Sequence, residues 1–139
     1  MFKNILVPTD FSEDDTHALD IAVKLCSLGG GKIKLLHVIE IIANTSFEEF
    51  EDFYTNLEKR SFGDLSAMVA QFQESHVNIE PEVIYGNRAH EILRFTGEND
   101  IDLIVMKSHR IDVEDRAQGW GTISYKVGIL AQCPVMLVK

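Results

Sequence analysis

The chain has 139 residues, with 45% hydrophobic and 25% charged residues, which suits one globular domain with a single core. The net charge is −9 and no basic patch is visible, which argues against nucleic acid as a partner, because such binders neutralise phosphates. No apolar run approaches the ~20 residues that span a bilayer. The N-terminal segment turns polar at Thr9 and Asp10, too early for a signal peptide, so we expect a cytoplasmic protein.

Residues 4–9 form the first predicted element, a short apolar run typical of a strand that is buried on both faces. After this strand, Ser12 is predicted to cap a helix that has acidic residues in its first turn. The helix is expected to end at glycines 29–31, since glycine adopts the left-handed conformation found beyond helix ends.

The next segments are a strand at residues 33–38, a loop at 39–46 and a long helix at 47–74. Gly63 predicts a kink or break inside this helix. Its first part is rich in acidic residues: Glu48, Glu49, Glu51 and Asp52. A solvated helix face is the simpler interpretation of these acids, and a docking surface for a partner is the alternative.

Residues 79–85 are a third predicted strand, and Pro81 favours a sheet edge for it, because proline cannot donate to a hydrogen-bond ladder. A turn then leads into a helix at residues 89–97. The remaining predicted segments are a strand, a polar stretch, a helix and a last strand, at residues 103–106, 107–120, 122–131 and 134–138.

Strands that alternate with helices predict βαβ units in a single domain over residues 1–139. Right-handed crossovers place the loops after the strands at one edge of the sheet, where open α/β sheets bind ligands. Asp10 follows the first strand and is the main functional candidate there. The alternative is that Asp10 only tethers the adjacent turn.

Cysteine and histidine show neither the number nor the spacing of a disulfide framework or a metal site. We therefore expect Cys26 and Cys133 to be buried reduced thiols, and we expect no bound metal. His37, on an apolar strand, is predicted to be a hydrogen-bonded core histidine.

Five segments, taken in order, resemble the universal stress protein family across nearly the whole chain: residues 5–12, 36–38, 86–92, 102–106 and 121–135. The resemblance implies a doubly wound, Rossmann-like α/β fold with a five-stranded parallel sheet in the order 3-2-1-4-5 and helices on both faces. It also implies a stress-response regulator, not an enzyme, that forms a homodimer through its last strand. The dimer edge would consist of Val135, Met136, Leu137 and Val138.

Many members of this family bind ATP through a loop written G-x-x-G, then a spacer, then G-[S/T]; glycines suit it because backbone N–H groups must approach phosphate closely. Here the residues K-S-H-R stand at 107–110 in place of G-x-x-G. The spacer holds three acids, Asp112, Glu114 and Asp115, that would repel a triphosphate.

Two hypotheses follow from this departure. In the leading one, Lys107 and Arg110 fill the former nucleotide cavity, so the regulator holds no tightly bound ATP, needs no cofactor and acts through a protein partner. In the alternative, they grip phosphate directly, and the chain is a switch for ATP with magnesium or another adenine nucleotide. A weak ATPase ranks last, because no base or metal cluster is visible beyond Asp10. The candidate pocket residues are Pro8, Thr9, Asp10, Val38, Met106, Lys107, Ser108, Arg110, Gly121, Thr122, Ile123 and Ser124.

Overall fold

The computed structural model describes residues 2–12, 15–41, 44–108 and 122–139. In this part of the chain, five strands form one sheet: β1 (Asn4–Pro8), β2 (Lys32–Ile39), β3 (Asn78–Tyr85), β4 (Leu103–Lys107) and β5 (Val135–Val138). All strand pairs are parallel, and the order is β3-β2-β1-β4-β5. The predicted α/β class and strand order are therefore confirmed.

Four α-helices are found in the same residues: α1 (Thr16–Gly29), α2 (Glu51–Ala70), α3 (Arg88–Glu98) and α4 (Ile123–Leu130). They cover both faces because successive residues of a strand point to opposite sides. Ile5 and Val7 of β1 pack with α1 and α2, whereas Leu6 packs with α3 and α4. All three of these side chains are fully buried, as expected for a central parallel strand.

The prediction that Ser12 caps the first helix is wrong. Helix α1 begins at Thr16, the preceding residue is Asp15, and the first turn contains no acidic residue. The Ser12 N–H instead donates to Asp10 Oδ1 at 3.0 Å, so this segment is a turn stabilised by side chains. At the other end of α1 the prediction is confirmed, since Gly30 has φ 69° and its N–H donates to the Cys26 carbonyl.

The predicted kink at Gly63 is also wrong, because α2 runs unbroken from Glu51 to Ala70. A buried stripe of Tyr54, Ser61, Leu65 and Met68 packs this helix onto the sheet and outweighs the weak helix preference of one glycine. The long helix predicted at 47–74 departs from α geometry only near its ends, where 3₁₀ turns cover Glu48–Phe50 and Gln73–Ser75.

Strand β3 lies at one edge of the sheet, as Pro81 indicated. Both cysteines are free, but only Cys26 is buried, and Cys133 is half-buried, which corrects the expectation for the second thiol. Burial raises the pKa of both thiols. No helix within the described ranges is long and apolar enough to cross a membrane.

Candidate functional site at the carboxyl edge of the sheet

A cavity of about 360 Å³ opens where β1, β2 and β4 end and where α3 and α4 begin. Its apolar wall consists of Pro8, Leu36, Val38, Ile92, Met106 and Ile123, and its polar wall of Thr9, Asp10, Ser12, Asp15, Arg88, Lys107, Ser108, Thr122 and Ser124. A concave site that combines an apolar wall with convergent polar groups is suited to a small molecule. It occupies the edge at which open α/β sheets bind ligands.

Most candidate pocket residues line this one cavity: Pro8, Thr9, Asp10, Val38, Met106, Lys107, Ser108, Thr122, Ile123 and Ser124. Arg110 and Gly121 lie outside the described residues. Five further lining residues were not among the predicted pocket residues: Leu36, Ser12, Asp15, Arg88 and Ile92. Helical spacing could have indicated that Arg88 and Ile92 line the same site, because residues four apart lie on one face of a helix.

The turn after β1 forms the floor of the cavity and is closed by side chains. Phe11 has φ 61°, a left-handed conformation, and its N–H donates to Thr9 Oγ1 at 3.1 Å and to Asp15 Oδ2 at 2.8 Å. The Thr9 hydroxyl also donates to the Asp15 carboxylate. Asp10 tethers the turn through Ser12 and lines the cavity, so its two interpretations are compatible.

His37 contacts this turn through a hydrogen bond and a ring contact. Its Nδ1 donates to the Thr9 carbonyl at 2.8 Å, which assigns the ring proton to that nitrogen, and its ring packs on Phe11 at 4.4 Å between centroids. The side chain is only 8% exposed, and burial lowers its pKa. His37 is therefore the hydrogen-bonded core histidine that the sequence predicted.

The pKa values of two carboxylates in the cavity are shifted in opposite directions. Burial, together with the charge of Asp10, raises the pKa of Asp15 to about 6. Burial also opposes ionisation of Asp10, but hydrogen bonds from Ser12 and the charges of Arg88 and Lys107 hold the Asp10 pKa below its ordinary value. Asp10 therefore ionises at lower pH than Asp15, and its carboxylate is charged at neutral pH.

Two cations lie on different walls of the cavity. Arg88 is the first residue of α3 and is half-buried; within the described ranges it forms no hydrogen bond or ion pair, although its charge acts on both Asp10 and His37. Lys107 ends β4, and its Nζ donates to Ser12 Oγ at 3.1 Å. Lys107 therefore lies against the wall, and a cavity remains open beside it.

A cluster of hydroxyls lies at the start of α4. Thr122 caps this helix by accepting the Tyr125 N–H at 3.4 Å. The Ser124 hydroxyl lies 3.0 Å from Ser108 Oγ and 3.2 Å from Thr122 Oγ1, and Lys139 Nζ donates to Ser108 Oγ at 3.3 Å. The cluster adds hydroxyl donors and the positive end of a helix dipole to the cavity. Among the described residues, no group of three His, Cys, Asp or Glu side chains could hold a metal ion.

Comparison with solved structures finds the same fold throughout. The MJ0577 protein of Methanocaldococcus jannaschii has a TM-score of 0.83 at 28% identity, covering 100% of this chain and 96% of that one. A universal stress protein in complex with cAMP has a TM-score of 0.77 at 15% identity, with 99% and 97% coverage. The universal stress protein from Archaeoglobus fulgidus in complex with dAMP has a TM-score of 0.70 at 19% identity, covering 99% of this chain and 98% of that one. At 15% and 19% identity, the similarity of these last two structures to this chain shows a shared fold and nothing more.

Comparison of sequences gives the same answer. The universal stress protein YxiE of Bacillus subtilis is 33% identical over the full length of both chains. The model of the universal stress protein family matches residues 1–139. This chain therefore belongs to the universal stress protein family.

Proposed function

We propose that this protein is a cytoplasmic regulator whose cavity binds an adenine nucleotide with a short phosphate group, and that it does not hold ATP tightly. The observation that carries the proposal is the pair of cations, Arg88 and Lys107, on the walls of a cavity that also offers apolar side chains. At about 360 Å³ the cavity is at the small end of the range for ligand sites, which runs from about 300 to 1,000 Å³.

The base and the sugar have suitable partners in the cavity. Val38, Ile92 and Met106 offer apolar surface for the faces of a flat purine, and the Met106 sulfur is a favourable neighbour for an aromatic ring. Asp10 is ionised and accepts hydrogen bonds, so it suits the hydroxyls of a ribose. A nucleoside would therefore occupy the region between β1, β2 and α3.

The phosphate would be held mainly by Arg88, because a guanidinium presents a planar fork of donors that matches phosphate oxygens. On the opposite side, Lys107 would neutralise phosphate charge, and the hydroxyl cluster at the start of α4 would donate hydrogen bonds. In the sequence, Asp112, Glu114 and Asp115 add negative charge to the spacer that follows Lys107, and this charge would disfavour a longer phosphate chain. The cAMP and dAMP complexes of the two structural relatives fit this ligand class.

Isothermal titration calorimetry with AMP, cAMP and ATP tests the proposal. We expect AMP or cAMP to bind at least about tenfold more tightly than ATP. Arg88→Gln should weaken that binding about tenfold or more, the usual cost of a lost hydrogen bond to a charged group. Arg94→Gln is the matched control, since Arg94 lies on the same helix but pairs with Glu91 and Glu98 and does not line the cavity. Tighter binding of ATP than of AMP and cAMP would refute the proposal.

We also propose that the regulator is a homodimer through β5. In its support, β5 is an outer strand and its Met136 is 37% exposed, while Ile129 and Leu130 in the last turn of α4 are 76% and 57% exposed. Antiparallel pairing with a second β5 would cover the strand edge. Light scattering should give twice the chain mass, and Met136→Glu should give a monomer. Leu28→Glu, at a position 87% exposed on α1, should leave the dimer intact. A wild-type monomer at micromolar concentration would contradict the proposal.

A further inference from the structure

Three phenylalanines with four acidic side chains between them form an exposed surface at the start of α2, here called the aromatic–acidic patch. It consists of Phe47, Phe50 and Phe53 with Glu48, Glu49, Glu51 and Asp52. The rings recur every third residue where a 3₁₀ turn leads into the α-helix, so they lie along one side of the segment. Their exposed fractions are 39%, 38% and 53%. A contiguous apolar surface of this kind is more than the scattered single side chains that any protein exposes.

Two of the three rings of the patch, those of Phe47 and Phe53, contact aromatic side chains beneath them. Phe47 stacks on Tyr54 at 5.5 Å between centroids and meets Tyr85 edge-on at 5.4 Å. Phe53 also contacts Tyr54, at 5.4 Å, and Tyr54 is fully buried. These contacts order the rings of Phe47 and Phe53 in advance, so a partner that covers these two rings loses little conformational entropy.

The charge of the patch has a single sign. No lysine or arginine occurs in residues 41–58, and Glu48, Glu49, Glu51 and Asp52 form no ion pair with any side chain in the described ranges. A structural reason exists for Glu51 and Asp52, because acidic side chains in the first turn of α2 interact favourably with the helix dipole. The helix dipole does not explain why three phenylalanine side chains beside these acids remain partly exposed to solvent.

We propose that the aromatic–acidic patch is the docking site for a basic amphipathic segment of a partner protein. Apolar side chains of that segment would cover the rings, and its lysines or arginines would face the acidic side chains, which is the charge complementarity of specific interfaces. A second copy of this chain is disfavoured as the occupant, because two acidic patches would repel and the chain carries a net charge of −9. The proposal is independent of nucleotide binding in the cavity.

The test measures fluorescence anisotropy of a labelled helical peptide with leucines on one face and lysines on the other. We expect binding to the full chain that weakens about tenfold with Phe53→Ser, the loss typical of a buried aromatic contact. The matched control is Phe62→Ser: Phe62 is 49% exposed on the same helix, and nine residues at 3.6 per turn place it on the opposite side from Phe53. Circular dichroism checks that each variant is folded.

Double substitutions of acidic residues test the proposal even if an aromatic variant fails to fold. Glu48→Gln with Glu49→Gln should weaken the peptide severalfold, whereas Glu74→Gln with Glu98→Gln, two exposed acids elsewhere, should not. Equal binding of a peptide with serine in place of leucine would overturn the proposal, because charge alone would then suffice. Equal losses in the test and control variants would overturn it too. Self-association abolished by Phe53→Ser would assign the patch to a second copy instead.

Discussion

Replacing Asp15 by asparagine should stabilise the protein at neutral pH, although Asp15 accepts two hydrogen bonds in the turn after β1. The folded-state pKa is about 6, and the ordinary value is 3.8. The folded state therefore binds the proton more tightly than the unfolded chain, and stability falls as pH rises from about 4 to about 6. The difference of about two pH units, at 1.36 kcal/mol each, places the cost of ionising Asp15 at about 3 kcal/mol.

Asparagine keeps the shape and removes the charge. Its oxygen can accept the Phe11 N–H, but as a weaker acceptor than a carboxylate, so part of the gain is lost. We expect Asp15→Asn to raise the free energy of unfolding at pH 7 by about 1 to 2 kcal/mol, and the gain to shrink toward pH 4. Urea denaturation followed by circular dichroism, at several values between pH 4 and pH 8, measures this directly.

The matched control is Asp10→Asn, for which the sign is reversed. The pKa of Asp10 is held below its ordinary value, so its ionised form stabilises the folded state, and that contribution is present above the unfolded pKa and lost as pH falls through the folded one. Asp10→Asn should therefore lower stability at pH 7. An Asp15→Asn variant that is less stable than wild type at pH 7, or whose difference does not change with pH, would refute the reasoning.

Three further substitutions test the packing through the free energy of unfolding in urea. Gly63→Ala should add about 0.5 to 1 kcal/mol, because Gly63 is an exposed position inside α2 and a new Cβ meets nothing within 4 Å; a loss would contradict the unbroken helix. Gly31→Ala should cost about 2 kcal/mol or more, since its Cβ would lie 2.8 Å from the carbonyl oxygens of Phe2 and Lys3. Leu65→Ala should cost about 2 to 5 kcal/mol, because Leu65 is fully buried; a smaller loss would show that α2 is loosely packed.

The fold could be predicted from the sequence because its signals are local. Ile5, Leu6 and Val7 form an uninterrupted apolar run, which a strand buried on both faces requires. Pro81 marks an edge strand for an equally local reason. Gly63 misled because propensity is a weak local term, and the apolar stripe that overrides it becomes decisive only when α2 meets the sheet.

The site was harder to predict because it depends on contacts across the fold. Arg88 looks like an ordinary surface charge in sequence, and only the sheet order brings the start of α3 beside Asp10. The role of Asp15 depends on the left-handed backbone of Phe11, which turns that N–H toward the carboxylate. No residue pattern predicts the positive φ of Phe11, because this conformation is uncommon for residues other than glycine.

The position of β1 also determines when this chain can fold. The strand pairs on one side with β2, its neighbour in sequence, and on the other with β4, through registers such as Ile5 with Leu103. The side chain of Asp102, next to β4, accepts hydrogen bonds from the backbone N–H groups of Lys3 and Asn4. These two residues lie 99 and 98 positions earlier in the chain. During synthesis one edge of β1 therefore stays without its partner strand until β4, at Leu103–Lys107, has been made.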